Sequence, residues 1–234
     1  MNNVILNGKK SELVNGLLIQ SLPPISKPLM RAMLEEVDGR DGDIITKLGY
    51  SAYDKEMVIG LHGDYDVDDV IQYFDSDGIV IFSNESDKYY RYSILQQIDF
   101  ERLIRYKVAV VTFHVQPFKY STIEKAITFA ITGNTQSVTV RNSGNIQSRP
   151  TLTIYGSGTI NLSLNGYQIF AIDLGNEEYI TINMEQMEAS KDGILKNRLV
   201  SGDYDNFFLD IGQNTISWSG TVTSIAVENY SRWI

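Results

Sequence analysis

The sequence predicts a mainly β protein of two domains, and three observations lead to that prediction. Runs of alternating apolar and polar residues, rich in β-branched and aromatic side chains, recur along the 234-residue chain. Turn signals of glycine, asparagine, aspartate or proline separate these runs. The composition also changes between residues 131 and 150, from densely charged to small and polar. We therefore expect an N-terminal β-sandwich-like α+β domain over residues 1–130 and a C-terminal β-sandwich over residues 131–234.

The predicted strands share the period-two pattern that is typical of a half-buried sheet. They cover residues 79–83, 89–95, 107–115, 137–141, 151–155, 159–164, 167–173, 179–183, 215–217 and 221–228. Asn165-Gly166 lies between two of these strands and is a strong hairpin signal. Gly156-Ser157-Gly158 is also interpreted as a hairpin turn, and Gln116-Pro117 as a break between strands.

One helix is predicted in the N-terminal domain, over residues 66–74. Its apolar residues follow the i, i+3, i+4, i+7 spacing of one buried face: Val67, Val70, Ile71 and Phe74. Asp66 is the expected N-cap. Residues 184–189 are a second short helical or irregular stretch.

The bulk composition excludes several classes of protein. Hydrophobic residues make up 43% of the chain, which argues against disorder, and no apolar run approaches the roughly 20 residues of a membrane span. There is no cysteine, so no disulfide or thiolate site is expected. The first residues carry no export signal, and we expect a soluble protein without membrane insertion. The net charge of −9 predicts weak binding to nucleic acids.

No constellation of catalytic residues is apparent, and we expect neither an enzyme, a cofactor nor a metal. The two histidines, His62 and His114, lie in a loop and in an apolar strand, and a zinc site needs three or four converging ligands. The acidic run that begins at Asp64 fails the EF-hand pattern, because its sixth position is Asp69 rather than glycine. Calcium binding stays open, since β-sandwich proteins can bind this ion without that motif.

A charged turn over residues 38–43 is the most informative local feature. Gly39 and Gly42 allow the backbone to adopt positive φ twice, as a tight reversal requires. The preceding residues 24–36 are apolar but hold two prolines, which suits either an edge strand or an arm that reaches a neighbouring subunit. On the second interpretation, the subunit interface includes Leu29, Met30, Met33, Leu34, Val37, Arg40 and Asp41.

Two tryptophans offer an alternative function for the C-terminal sandwich. Trp218 and Trp233 are the candidates for a platform on which host cell-wall sugars stack, although strand aromatics more often pack in a core.

Taken in order, short motifs along the whole chain resemble the distal tail (Dit) proteins of long-tailed, non-contractile bacteriophages. Residues 37–42 are similar to a family signature in which proline usually stands at the position of Asp38, and Asp205 also replaces a usual proline. The remaining motifs are Leu6-Asn7-Gly8, Leu48-Gly49-Tyr50, Ser86–Tyr90, Val111–Tyr120, Asn142–Asn145, Arg149-Pro150, Gly156–Gly158, Gly202–Tyr204, Gly212–Asn214 and Arg232-Trp233.

The resemblance implies a structural hub rather than an enzyme, with a projecting hairpin arm and a C-terminal sandwich similar to galectins and carbohydrate-binding modules. Six copies would form a homo-hexameric ring at the virion tail tip, assembled in the bacterial cytoplasm. The implied partners are the major tail tube protein, the tail-tip or tail-associated lysin protein, the tape-measure protein and receptor-binding or baseplate proteins. DNA would pass through the lumen without specific binding.

Overall fold

A computed structural model describes residues 2–228 and 230–234, and it divides into two compact units. The first covers the described residues up to Thr122 together with Ile234, and the second covers Ile123–Trp233. The fold is mainly β, as predicted.

The first unit holds nine strands and two α-helices within the described residues. They are β1 (Val4–Leu6), β2 (Lys9–Lys10), β3 (Leu17–Ser21), β4 (Met30–Glu36), β5 (Asp43–Tyr50), β6 (Tyr53–Leu61), α1 (Val67–Phe74), β7 (Asp77–Phe82), β8 (Lys88–Ser93), α2 (Phe100–Tyr106) and β9 (Ala109–Ser121). The main sheet runs β2-β1-β7-β8-β9-β6-β3, while β4 and β5 form a separate two-stranded sheet. Gln116-Pro117 therefore does not end a strand, because β9 continues through it to Ser121.

Helix α1 begins and ends as the sequence predicts, but its buried face is rotated. Asp66 caps it by accepting a 2.9 Å hydrogen bond from the Asp68 amide. The buried residues include Tyr73 rather than Ile71, which is exposed. The Tyr73 hydroxyl donates to the Val4 carbonyl at 2.9 Å, so the ring ties the helix to the first strand.

Helix α2 was not predicted, and the reason lies in its small buried face. Only Leu103 of its seven residues is fully buried, so the 3.6-residue period is hard to detect. Asp99 caps the helix through the Arg102 amide, and Lys107 ends it with φ of 57°. The predicted strand at Lys107 therefore begins two residues later, at Ala109.

The second unit holds ten strands within the described residues. They are β10 (Ile127–Ala130), β11 (Ser137–Asn142), β12 (Thr151–Leu164), β13 (Tyr167–Asp173), β14 (Tyr179–Asn183), β15 (Glu188–Lys191), β16 (Ile194–Leu195), β17 (Val200–Gly202), β18 (Gly212–Glu228) and β19 (Arg232–Trp233). β10 pairs with β18, which places residues 127–130 in this unit, whereas the sequence predicted the boundary after residue 130. Residues 184–189 form a turn and the start of β15, not a helix.

Two long strands, β12 and β18, each run through both layers of the sandwich. The first part of β12 pairs with β14 and the second part with β13, and the pairing with β18 shifts register between them. Gly156-Ser157-Gly158 lies at this shift, so it is a bend within a strand and not a hairpin turn. A Cβ on Gly156 would lie 2.2 Å from the Thr221 carbonyl oxygen, which explains why glycine is needed at the bend.

Candidate inter-subunit arm

The predicted turn closes a long hairpin, which we call the arm (residues 30–50). Gly39 and Gly42 have φ of 83° and 75°, as the tight reversal requires. The pairing of β4 with β5 begins with Met30 opposite Tyr50 at the base and ends with Glu36 opposite Asp43 at the tip, and it has a bulge near Arg31. The sequence left open an edge strand in the sandwich, and that alternative is wrong because, within residues 2–228 and 230–234, β4 pairs with β5 alone.

The arm carries apolar side chains that nothing in the described chain covers. None of its residues belongs to either hydrophobic core, and Leu34 is 61% exposed. Because Leu34 and Ile45 are directly paired, they form one apolar face, while Met33 and Ile44 lie on the other. An isolated two-stranded hairpin is at best marginally stable in water. The arm therefore has the properties of a segment that is completed by a partner.

The predicted interface residues all lie on the arm or directly before it. The exposed residues among them are Leu29, Met33, Leu34, Val37, Arg40 and Asp41, whereas Met30 is half-buried at the base. Arg40 and Asp41 form no ion pair with any residue in the described ranges, so the turn is held by its backbone, with the Arg40 amide donating to the Val37 carbonyl at 3.1 Å. Their role in an interface stays a prediction.

The segment that leads into the arm is fixed to the main sheet by two side chains, and the other end of the arm by one. The Lys55 ammonium donates to the Pro24 carbonyl at 2.7 Å, and the Asn84 amide donates to the Pro23 carbonyl at 2.9 Å. The ring of Tyr50, at the other foot of the arm, packs edge-on against Phe118 with centroids 5.8 Å apart. Both feet are thus anchored while the tip projects.

A buried charged cluster that was not predicted supports this anchor. Lys119 forms a 2.7 Å ion pair with Glu85, and the Tyr90 hydroxyl donates to the same carboxylate. The Lys55 ammonium lies 4.9 Å from the centre of the Tyr90 ring. Burial lowers the pKa of Lys55 to about 8; Glu85 opposes this shift and Lys119 adds to it.

The sequence feature that indicates this cluster is the position of its two lysines in the alternating inward and outward pattern of their strands. Lys55 occupies the same inward phase as Met57 and Ile59 in β6, and Lys119 continues the inward phase of Val115 in β9. A lysine at such a position is rarely fully buried unless it is paired. Two such lysines therefore predict a shared carboxylate, here Glu85.

The other candidate residues are not brought together. Trp218 is 5% exposed within the core of the second unit, so its ring offers no free face to a sugar and the predicted stacking role does not fit. Trp233 is half-buried, and its role stays a prediction. The Nδ1 atom of His114 lies 2.8 Å from a carboxylate oxygen of Asp54. His62 is not part of this pair.

Within residues 2–228 and 230–234 the chain has neither a cluster of metal ligands nor a membrane-spanning helix. No group of three or more histidine, aspartate or glutamate side chains there is placed to hold a metal ion. The longer of the two α-helices has eight residues, and no helix in the described part of the chain has the length and hydrophobicity to cross a bilayer.

The chain has the fold of phage tail hub and baseplate proteins. A solved structure with this fold is the Dit protein of phage SPP1, a hub of the adsorption apparatus in phages that infect Gram-positive bacteria. It matches with a TM-score of 0.63 and 17% identity, over 97% of this chain and 98% of that one. The resemblance found in the motifs is thus confirmed at the level of the fold.

Chains of the phage P2 baseplate share the same fold. The baseplate in its activated conformation with Ca matches with a TM-score of 0.54 and 11% identity, over 97% of both chains. The form with Sr matches with a TM-score of 0.53 and 11% identity, over 97% of this chain and 96% of that one. No protein-family model matches the sequence, and no curated protein matches it either.

Proposed function

We propose that this protein is the structural hub of a non-contractile phage tail tip. Six copies form a ring that joins the tail tube to the tail-tip or tail-lysin protein, and the ring lets DNA pass through its lumen. The observation that carries the proposal is that the likeness to a tail hub extends over 97% of this chain, through both units. Because a shared fold alone does not define a function, the arm supplies the independent physical support.

The arm supports ring formation because its apolar faces need a partner. Leu34 and Ile45 lie side by side on one face, and burying such side chains contributes about 1.5–3 kcal/mol each. A neighbouring copy is the natural source of that burial, since a contact from an arm to another surface is heterologous and closes into a ring when the rotation permits. Loss of the arm contact should therefore release single subunits.

Mass measurement by size exclusion with light scattering tests this arrangement. We expect the full chain at high concentration to reach six times its 26.4 kDa, and a complex with the tail-tube partner to exceed that value by the mass of the bound partner. Leu34→Asp places a charge in the proposed contact and should return the protein to the mass of one chain. Leu195→Asp is the matched control, because Leu195 is 60% exposed and lies in the second unit. Equal assembly of both variants would exclude the arm as the ring contact.

Arg40→Ala separates the two roles of the turn. If the turn bridges subunits, this variant should weaken the ring while the melting temperature of the single chain stays unchanged, because Arg40 forms no ion pair within the described residues of one chain. A lower melting temperature with an intact ring would instead assign Arg40 to the hairpin alone.

A further inference from the structure

A cavity of about 450 Å³ opens at one end of the second unit. It lies between the β12–β13 turn and the loop that joins β17 to β18. Its volume is within the range of roughly 300–1,000 Å³ that small-molecule sites occupy. The side chains that decide its chemistry are two aromatic rings, two carboxylates and two amides: Tyr167, Phe208, Asp203, Asp210, Gln168 and Asn206.

The aromatic residues at the cavity are not part of the core. Tyr167 is 76% exposed although it is a large aromatic residue, and Phe208 is half-buried beside it at the cavity wall. An exposed ring of this kind contributes little to folding, because its apolar surface stays in water. The same ring offers a flat apolar face and a hydroxyl group to a ligand.

The polar wall is held in place before any ligand arrives. Asp203 accepts hydrogen bonds from the Asp205 amide at 3.0 Å and the Asn206 amide at 3.2 Å. These bonds, with one from the Asn206 side chain as the largest contribution, hold the pKa of Asp203 below its usual range. Asp210 accepts from the Gln147 amide at 2.9 Å. A wall that is already ordered reduces the entropy that binding must overcome.

The wall also presents solvent-exposed hydrogen-bonding groups that make no bond within residues 2–228 and 230–234, so a ligand can replace the water on them. The side-chain carbonyl oxygens of Gln168 and Asn206 and the hydroxyl of Tyr167 accept no hydrogen bond there, and neither does one oxygen of Asp210. Acceptors beside a flat ring match the hydroxyl groups and C–H face of a sugar. Two carboxylates and no basic side chain in the cavity lining disfavour an anionic ligand.

We propose that this cavity binds a neutral oligosaccharide, with Tyr167 as the stacking residue and Asp210, Asn206 and Gln168 as the hydrogen-bonding residues, while Asp203 holds Asn206 in position. The site is distinct from Trp218 and Trp233. It adds a direct contact with glycans to the hub, and it does not depend on ring formation.

Titrations followed by amide chemical shifts of the full chain test the site. The probes are maltotetraose, chitotetraose and galactotetraose, with tetragalacturonate as the anionic counterpart. We expect at least one neutral probe to shift the signals of Gln168 and Asn206 at millimolar concentration, and tetragalacturonate to leave them unchanged. No shift with any neutral probe, or equal binding of the anionic one, would overturn the proposal.

A pair of tyrosine variants locates the binding residue. Tyr167→Ala should weaken binding about tenfold. Tyr106→Ala is the matched control, because Tyr106 is 72% exposed but lies in the first unit, and it should bind like the unmodified chain. Unchanged binding by Tyr167→Ala would also refute the site. The mass of the assembled ring should be unaffected by either variant, so failure here and failure of the hub proposal are told apart.

Discussion

Raising the pH should stabilise the first unit, and Lys55 is the reason. Its pKa of about 8 in the folded chain lies below the usual lysine value of about 10.4. Between these two values the unfolded chain holds a proton that the folded chain has released, so the free energy of unfolding rises with pH. From about pH 7.5 to about pH 9.5 the gain is about 2 kcal/mol.

The upper limit of this range is set by tyrosines. Burial raises the pKa of Tyr53 and Tyr90, so the folded chain keeps their protons longer than the unfolded chain does. Stability from these groups is therefore lost above about pH 10, where the unfolded tyrosines ionise. The effect of Lys55 is isolated below that pH.

Thermal unfolding at the two pH values, with Lys55→Met as the comparison, measures the effect. Tryptophan fluorescence reports the second unit, which holds both tryptophans. Near-ultraviolet circular dichroism of the tyrosines reports both units, because nine of the 14 tyrosines lie in the first and five in the second, so the transition that fluorescence does not show belongs to the first unit. The melting temperature of the first unit should rise by about 4–8 °C in the unmodified chain and stay nearly constant in Lys55→Met. The second unit is an internal control. An equal rise in both proteins would refute the assignment to Lys55.

Three further predictions concern the second unit and the charge. Trp218→Ala should cost about 3–5 kcal/mol of stability by calorimetry, because it empties a core position; a loss below about 1 kcal/mol would contradict its burial. Gly220→Ala should destabilise the sandwich more than Gly166→Ala, since both have positive φ but only at Gly220 would a Cβ meet a carbonyl oxygen, that of Thr159, at 2.3 Å. In gel-shift assays at about 0.15 M salt we expect no DNA complex at micromolar protein, since the net charge is −9. A tight complex would refute the expectation that DNA passes through the lumen without specific binding.

Local signals predicted those parts of the fold that neighbouring residues determine. The cap and length of α1 and the Asn165-Gly166 hairpin depend on few residues, and the structure confirms both. The two glycines of the arm tip likewise adopt the positive φ that their spacing predicts.

Features that depend on distant pairings were missed. Gly156-Ser157-Gly158 has the composition of a turn, but β18 pairs across it and converts it into a bend in one continuous strand. Similarly, Trp218 and Trp233 are candidates for sugar binding by residue type alone, whereas the burial of Trp218 is decided by the packing of the whole sandwich. The cavity at Tyr167 combines a hairpin with a loop about 40 residues further along the chain, a proximity that the local sequence does not reveal.

The acidic tip of the arm has a consequence for solubility. Each of its two strands has one open edge, and apolar strands with open edges tend to pair with copies of themselves and aggregate. Glu36 and Asp43 lie directly opposite each other next to the turn, a like-charge pair that weakens the hairpin itself. The same charges repel a second tip that approaches edge to edge, as gatekeeper residues do beside aggregation-prone strands. We therefore expect the tip to lose some hairpin stability and to gain a lower tendency of free chains to pair edge to edge.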